Sequence, residues 1–328
     1  MTKNETSKLK RDFVAQYPNM ATRPLANKLL REFPELFTDH EAARSSVRYY
    51  RGETGSVHRK IAEKSGSLME TSKYSSPDSA KEDYKPHILQ VRGNGLLIGD
   101  LHIPYHDKSA VDLAVNYAIK MHATDHLIIL GDLIDFYQMS KFGKDPTKRS
   151  ISGEVDVAGK FLKDMTGIFG EVVYKSGNHE KRLQDYVFRN APALVGVKGV
   201  ELPIMLDVAK IGITYVNWDV PIYAGDNLTL VHGHEYGRSM FSPVNAARGL
   251  FMKALACSIT AHYHRPSHHD EPNIRGKDLS TWSIGCMCQL HPEYARLNKW
   301  QHGFGLFNFE GGDEWDFSNH RIVNGRVR

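Results

Sequence analysis

Cysteine, long apolar runs and a leader-like start are what this 328-residue sequence is short of. Its three cysteines, Cys257, Cys286 and Cys288, exclude a disulfide-stapled scaffold and fit a reducing compartment. Cys286 and Cys288 form a C-x-C pair with one further cysteine, too few for a four-ligand site, so alternation along a strand accounts for them. No stretch of about 18 uncharged apolar residues occurs, so no helical membrane span is expected. The opening MTKNETSKLKRDF is charged where a signal peptide needs an apolar core, and cytoplasmic residence is the expectation. Also missing are the P-loop G-x4-G-K-[ST] and the C-x5-R of phosphocysteine enzymes, which removes two common phosphate chemistries.

What is present is ordinary in bulk and unusual in detail. With 41% hydrophobic and 24% charged residues, the chain has the composition of a folded protein with one large domain or two modest ones. Histidine is in excess, 17 residues, most of them between His102 and His269, which points to metal or acid/base chemistry. The net charge of +4 is uneven: residues 1–92 carry 17 Lys+Arg against 12 Asp+Glu, and the remainder 25 against 26.

The basic N-terminal third reads as three short helices, SKLKRDFVAQY, ATRPLANKLLREF and DHEAARSSVRYYRG, punctuated by Pro18, Pro34 and Gly52. Arg44, Arg48 and Arg51 at i, i+4 and i+7 would share one face of the last helix, the geometry of a recognition helix in a major groove. Solvated arginines on a small helical module are the alternative. The stretch loosely resembles helix-turn-helix modules. The expected organisation is a helical module over 1–55, a Ser/Gly/Lys/Glu-rich linker over 56–88, and a larger domain over 89–328.

In that larger domain GLLIG, HLIIL and EVVYKSG alternate with helices near 108–122 and 154–169, which predicts a layered α/β core. Past residue 200 the pattern turns strand-rich, with IGITYV, NLTLVHG, CSITAHYH, TWSIGCMC and FGLFNFE and one helix near 243–255. GGDEWDF near 311–317 reads as a turn between edge strands, and Trp282, Tyr294, Trp300, Phe304 and Phe307 as sheet core rather than a base-stacking platform.

Polar motifs stand at the carboxyl ends of five apolar runs, where open α/β sheets gather their ligands. LLIGDLH carries Asp100 and His102; LIILGDLID carries Asp132 and Asp135; YKSGNHE carries Asn178 and His179; LTLVHGHEYG carries His232 and His234; SITAHYH carries His262 and His264. Carboxylates and imidazoles in such density suit divalent metals of the Mn, Fe or Zn type, and buried without a counter-charge they would cost several kcal/mol each.

In this order the motifs from about Gly95 to His264 resemble those of the calcineurin-like metallophosphoesterases, D-x-H, G-D-x-x-D, G-N-H-[DE], H and G-H-x-H. The resemblance implies a four-layer α/β/β/α sandwich behind the small all-helical module. It also implies two divalent metals, Mn2+ first with Fe, Zn or Ni as alternatives. Asp100, His102 and His264 would hold one metal, and Asn178, His232 and His262 the other, with Asp132 bridging. His179 would stand by the leaving group with Asp135 orienting it, and His234 would face substrate or protein. Ala261 departs from the family's glycine before H-x-H, and Phe136 from the arginine that follows G-D-x-x-D in the protein Ser/Thr phosphatases.

Two such metals ~3.5–4 Å apart lower the pKa of a shared water and neutralise phosphoryl oxygens. The first functional expectation is therefore a nucleic-acid phosphodiesterase, nuclease or end-processing phosphatase, with the basic module raising local concentration. The alternative is an enzyme for nucleotides or other small phosphoesters, the module serving oligomerisation. A non-catalytic scaffold and a nucleic-acid regulator are the readings outside that class. Arg182 and Arg238 are the candidate substrate contacts, with Lys181, Arg189, Arg248, Arg265, His268 and His269 behind them and solvated charge the default for each.

Overall fold

Thr2 opens the first helix through a capping box with Glu5, so α1 (Lys3–Ala15) starts earlier than the apolar pattern suggests. α2 (Thr22–Glu32) and α3 (His40–Tyr50) follow, the latter capped by the Asp39 carboxylate accepting from Ala42 N–H. Phe13, Val14, Leu25, Ala26, Leu29, Ala43 and Val47 recur at helical spacing and form one small core. The computed structural model describes residues 2–55, 77–81, 83–90, 92–141, 150–237, 244–312 and 314–328, and the chain divides at Asp83 and Tyr84 into two units. Most of the expected linker, residues 56–76, lies outside the described residues.

Arg51 departs from the recognition-face expectation. Its guanidinium turns inward, donating to Tyr17 O at 3.0 Å, to Met20 O, and to Thr22 Oγ1 at 3.3 Å. Three oxygen acceptors outcompete water for this planar donor. Arg44 and Arg48 lie at the surface beside Glu41 and Glu53.

The second unit holds two sheets. One has the order β13 (Arg326–Val327), β12 (Glu314–Val323), β11 (Gly303–Gly311), β2 (Gly93–Ile98), β3 (His126–Leu130), β4 (Glu171–Lys175), β5 (Thr214–Val216). The other runs β1 (His87–Leu89), β6 (Ile222–Ala224), β7 (Leu228–Val231), β8 (Cys257–Thr260), β10 (Asp278–Ser283), β9 (Ser267–Pro272). β2 to β5 are parallel, as are β7, β8 and β10.

The apolar runs are buried on both faces, which period-two alternation explains. Leu96, Ile98, Leu127 and Ile129 face a core shared with α4 (Lys108–Lys120), α5 (Ile151–Thr166) and α6 (Asn178–Asn190). Leu97, Ile128, Leu130 and Val173 face Ile222, Leu230 and Ile259 of the other sheet. After the four-residue α7 (Leu202–Met205), α8 (Ala246–Ala254) packs on β8, β9 and β10. The layers are helix, sheet, sheet, helix, with a helical N-terminal part. No described helix is long and apolar enough to cross a membrane.

One strand ends sooner than expected. β10 stops at Ser283, and Cys286 and Cys288 lie beyond it, each in an isolated bridge, to His302 and His106 respectively. Strand alternation therefore does not account for this pair. The segment leaves the sheet because its backbone bonds elsewhere, Met287 N–H donating to Asp100 O at 3.1 Å and Gln289 N–H to Tyr105 O at 2.8 Å.

Candidate metal centre

Parallel pairing of β2, β3 and β4 brings the loops bearing Asp100, Asp132 and Asn178 to one sheet edge. β7 and β8 do the same for His232, His262 and His264. Short hydrogen bonds stitch the two groups together. One oxygen of each aspartate is taken by a backbone donor: Asp100 Oδ2 accepts from His262 N–H at 2.8 Å, and Asp132 Oδ1 from His179 N–H at 2.9 Å. The second oxygens face imidazoles. Asp100 Oδ1 lies 3.4 Å from His264 Nε2, and Asp132 Oδ2 lies 3.2 Å from His232 Nε2 and 3.9 Å from His102 Nε2.

The remaining members complete the ring. His102 Nε2 stands 3.2 Å from His264 Nε2, and His232 Nε2 stands 3.2 Å from Asn178 Oδ1. Ligand atoms of Asp132, His232 and His262 lie within 4.8 Å of one another, as do those of His102, Asp132 and His179. His232 Nδ1 donates to Leu130 O at 2.8 Å, which orients the ring and turns Nε2 toward the carboxylates. All seven residues read from the sequence as ligands thus meet at one place.

The backbone is strained there. Ten described non-glycine residues have positive φ, and five of them are Asp100, His102, Asp132, His262 and His264. A left-handed backbone costs ~1–3 kcal/mol per residue, so its concentration at these positions marks a site over-determined by its surroundings. Gly131 makes room for the centre: a Cβ there would lie 2.2 Å from His232 Nδ1. Ala261 is accommodated from the opposite side, because Gly99 has no Cβ to meet its methyl.

Electrostatics follow from packing acids and imidazoles out of water. Burial opposes ionisation of Asp100 and Asp132, but facing imidazoles outweigh it and hold both carboxyls below their ordinary range. Burial likewise opposes charge on His232 and His264, yet Asp132 pushes His232 up to about 10 and Asp100 pushes His264 up to about 9. His262 falls to about 4, through burial and the neighbouring His232. A pocket that draws protons this strongly onto buried imidazoles attracts divalent cations for the same reason. Asp100 Oδ1 and His264 Nδ1 are buried without a hydrogen-bond partner, and the O/N donor set is that of Mn, Fe or Zn. The residues fit metal ions.

Two carboxylates that the motif reading left without a role, Glu180 buried and Glu235 half-buried, hold the loops in register. Glu180 accepts from Asp132 N–H at 3.1 Å, Ile134 N–H at 2.9 Å and Gly177 N–H at 2.7 Å, tying the second loop to the third. Glu235 accepts from His232 N–H at 3.1 Å and Gly233 N–H at 2.6 Å. Its charge is met by Lys175 Nζ at 3.1 Å, which also donates to Trp218 O at 2.9 Å and Val220 O at 2.8 Å. A lysine directly after the apolar VVY of EVVYK was the available signal, since an unpaired ammonium is not buried in a sheet.

A cleft of about 910 Å3 opens on the centre, with Arg182, Tyr105, Tyr137, Tyr294 and Trp300 on its walls. His179 and Asp135 are there too: His179 Nδ1 lies 3.0 Å from Asp135 Oδ1 and donates to Asp135 O at 3.0 Å. Trp300 packs edge-on against His264 and Tyr294 is 64% exposed, which corrects the expectation that both belong to the sheet core. Trp282, Phe304 and Phe307 are core as expected. Phe136 is wholly buried in the helix-facing core. His234 is half-buried, 3.4 Å from Glu235 Oε2.

Of the other cationic candidates, Lys181 pairs with Asp185 and sits over the Trp218 ring, and Arg189 pairs with Asp185. His268 stacks on Trp282, and Arg265 donates to Val244 O. None of these lines the cleft. Arg238 lies outside the described residues.

No family model matches the chain. It is similar to the Gene 54 protein of Mycobacterium phage L5, 26% identical over 230 residues that span 66% of this chain and 89% of that protein. The Gene 54 protein of Mycobacterium phage D29 is likewise 26% identical, over 229 residues and the same shares.

Proposed function

We propose that the chain is a divalent-metal-dependent phosphoester hydrolase of the calcineurin-like metallophosphoesterase type. The observation that carries this reading is the meeting of Asp100, His102, Asp132, Asn178, His232, His262 and His264 around Asp132 Oδ2 and Asp100 Oδ1, at the floor of an open cleft. Asp100, His102 and His264 would hold one ion, Asn178, His232 and His262 a second, and Asp132 would serve both. Such ions supply positive charge to phosphoryl oxygens and acidity to water.

The chain's own residues do the rest. Arg182, with Nη1 on Asp135 O at 2.9 Å and Nη2 on His179 Nε2 at 2.7 Å, is anchored beside the cleft and can fork onto a phosphoryl group. His179, turned by Asp135, offers a proton to the departing ester oxygen. Tyr105, Tyr137, Tyr294 and Trp300 make an aromatic rim that suits a planar base beside the phosphate, so the substrate class is a nucleotide unit. The basic N-terminal third turns this reading toward polymeric nucleic acid, with free nucleotides as the second reading.

The test is hydrolysis, by metal-stripped full-length protein with Mn2+ restored, of p-nitrophenyl phosphate and bis-p-nitrophenyl phosphate beside labelled single- and double-stranded DNA and RNA and free nucleotides. Activity absent from Asp132→Asn supports the hydrolase. Turnover of nucleotides but no polymer selects the second reading, and no turnover of any ester overturns both.

A further inference from the structure

Among the described residues, the sulfur of Cys288 is a donor at this centre that the motif resemblance leaves unassigned. Cys288 Sγ and ring nitrogens of His102 and His264 all lie within 4.8 Å of one another, and all three residues are buried. The two imidazoles are 3.2 Å apart at their Nε2 atoms, and Asp100 Oδ1 comes within 3.4 Å of His264 Nε2. Asp100 Oδ1 has no hydrogen-bond partner although it is fully buried. Two imidazole nitrogens and one thiol therefore converge on a single small space, and Asp100 Oδ1 reaches it through His264.

The position of Cys288 is built in. Residues on either side of it are hydrogen-bonded to the Asp100–Tyr105 loop, Met287 N–H to Asp100 O at 3.1 Å and Gln289 N–H to Tyr105 O at 2.8 Å. Its own carbonyl accepts from His302 Nε2 at 2.9 Å. These bonds draw the segment beyond Ile284 away from the sheet and onto the loop that carries Asp100 and His102. Core packing alone explains a buried cysteine but gives no reason for the segment to leave its sheet toward this loop. Cys286 neighbours the Cys288 thiol but its Sγ donates to Gln301 O at 3.7 Å, and it is not among the three clustered donors.

Resting on the metallohydrolase reading above, we propose that Cys288 is a fourth protein donor to the cation held by Asp100, His102 and His264. That half of the centre is then a mixed O/N/S site selective for a thiophilic divalent ion such as Zn2+, Fe2+ or Co2+ over Mn2+. On binding, the metal–sulfur bond replaces the S–H bond and the proton leaves to solvent, with no change of oxidation state. The other half, with Asn178, His232 and His262, keeps O/N donors only. The two halves accordingly differ in metal preference.

The experiment is a Co2+ titration of metal-stripped full-length protein, followed by absorption. A near-ultraviolet thiolate-to-cobalt charge-transfer band should grow with the visible d–d bands in the natural sequence. It should vanish in Cys288→Ser, whose d–d bands persist, and remain in Cys286→Ser. In competition, the preference for Zn2+ over Mn2+ should fall ~10–100-fold in Cys288→Ser. Cobalt d–d bands without the charge-transfer band in the natural sequence would overturn the proposal and leave the hydrolase reading standing. Loss of the band in Cys286→Ser alone would overturn it as well, and no cobalt absorption at all would sink both. The spectrum of the natural protein decides the point even where a variant fails to fold.

Discussion

The guanidinium of Arg182 and the imidazole of His179 face each other one helical turn apart, Nη2 to Nε2 at 2.7 Å. Arginine only donates, so His179 Nε2 accepts while Nδ1 donates to Asp135. In the proposed hydrolase a phosphoryl group would compete for the same guanidinium, and drawing Arg182 away would free Nε2 to take up a proton from solvent that it could then pass to the leaving oxygen. On that reading substrate contact and proton transfer would be linked through a single side chain.

Arg182→Gln should lower kcat/KM ~10–100-fold, mainly through KM, because a charge-assisted bond is worth ~1.5–3 kcal/mol. Metal affinity should hardly change. An equal fall in metal affinity would show the arginine to be a structural prop.

His179→Ala should cost more on esters with poor leaving groups than on p-nitrophenyl esters, by up to ~10²–10⁴-fold on the former. Rates on a nucleoside ester series of rising leaving-group pKa would check it. A uniform loss across the series, or loss of bound metal, would remove the acid role.

Lys175→Met removes the cation facing the half-buried Glu235, and should destabilise the protein by ~1–3 kcal/mol in denaturant unfolding. The double change to Lys175→Met with Glu235→Leu should recover much of that stability yet bind metal less well, since Glu235 also fixes the His232 backbone. Unimpaired metal affinity in the double variant would dissociate this pair from the centre.

Chelation should lower the thermal midpoint, and Mn2+ restored at about 100 times its dissociation constant should add ~2.7 kcal/mol of stability. In Asp132→Asn that metal-dependent shift should shrink toward zero. Equal shifts in both proteins, followed by calorimetry, would point to ions bound elsewhere.

Arg51→Ala should weaken the N-terminal helical unit by ~1.5–3 kcal/mol, because carbonyls of Tyr17 and Met20 lose a charged donor. Arg44→Ala and Arg48→Ala should each change stability by no more than ~0.5 kcal/mol. If the module holds nucleic acid, those two instead reduce the salt slope of binding by about one unit each. Duplex affinity against salt concentration separates the two kinds of arginine.

Much of this protein is local and was therefore legible residue by residue. Alternation within HLIIL and GLLIG specifies strands buried on both faces, and caps such as Asp39 and Asp107 start helices where the pattern expects them. Each candidate ligand stands directly after an apolar run, so its place at a strand end follows from sequence alone. Period and punctuation act over a few residues, and a string displays them.

Other features depend on which distant segments meet. His102 and His264 touch across 162 positions, and nothing local to GDLH or AHYH says that Cys288 joins them. Whether Lys181, Arg182 or Arg189 reaches the cleft is decided by the facing of α6, and only Arg182 does. Arg51 shares a helical face with Arg44 on paper, yet the carbonyls of Tyr17 and Met20 claim it. Trp300 and Tyr294 read as core because they are large and apolar, but sheet packing left them at the cleft wall. The sequence by itself determined the main strands and helices and the seven candidate ligand positions, because those follow from short-range pattern. Only the tertiary structure decided which cations, aromatics and sulfur surround them, because that choice is made by long-range packing of loops.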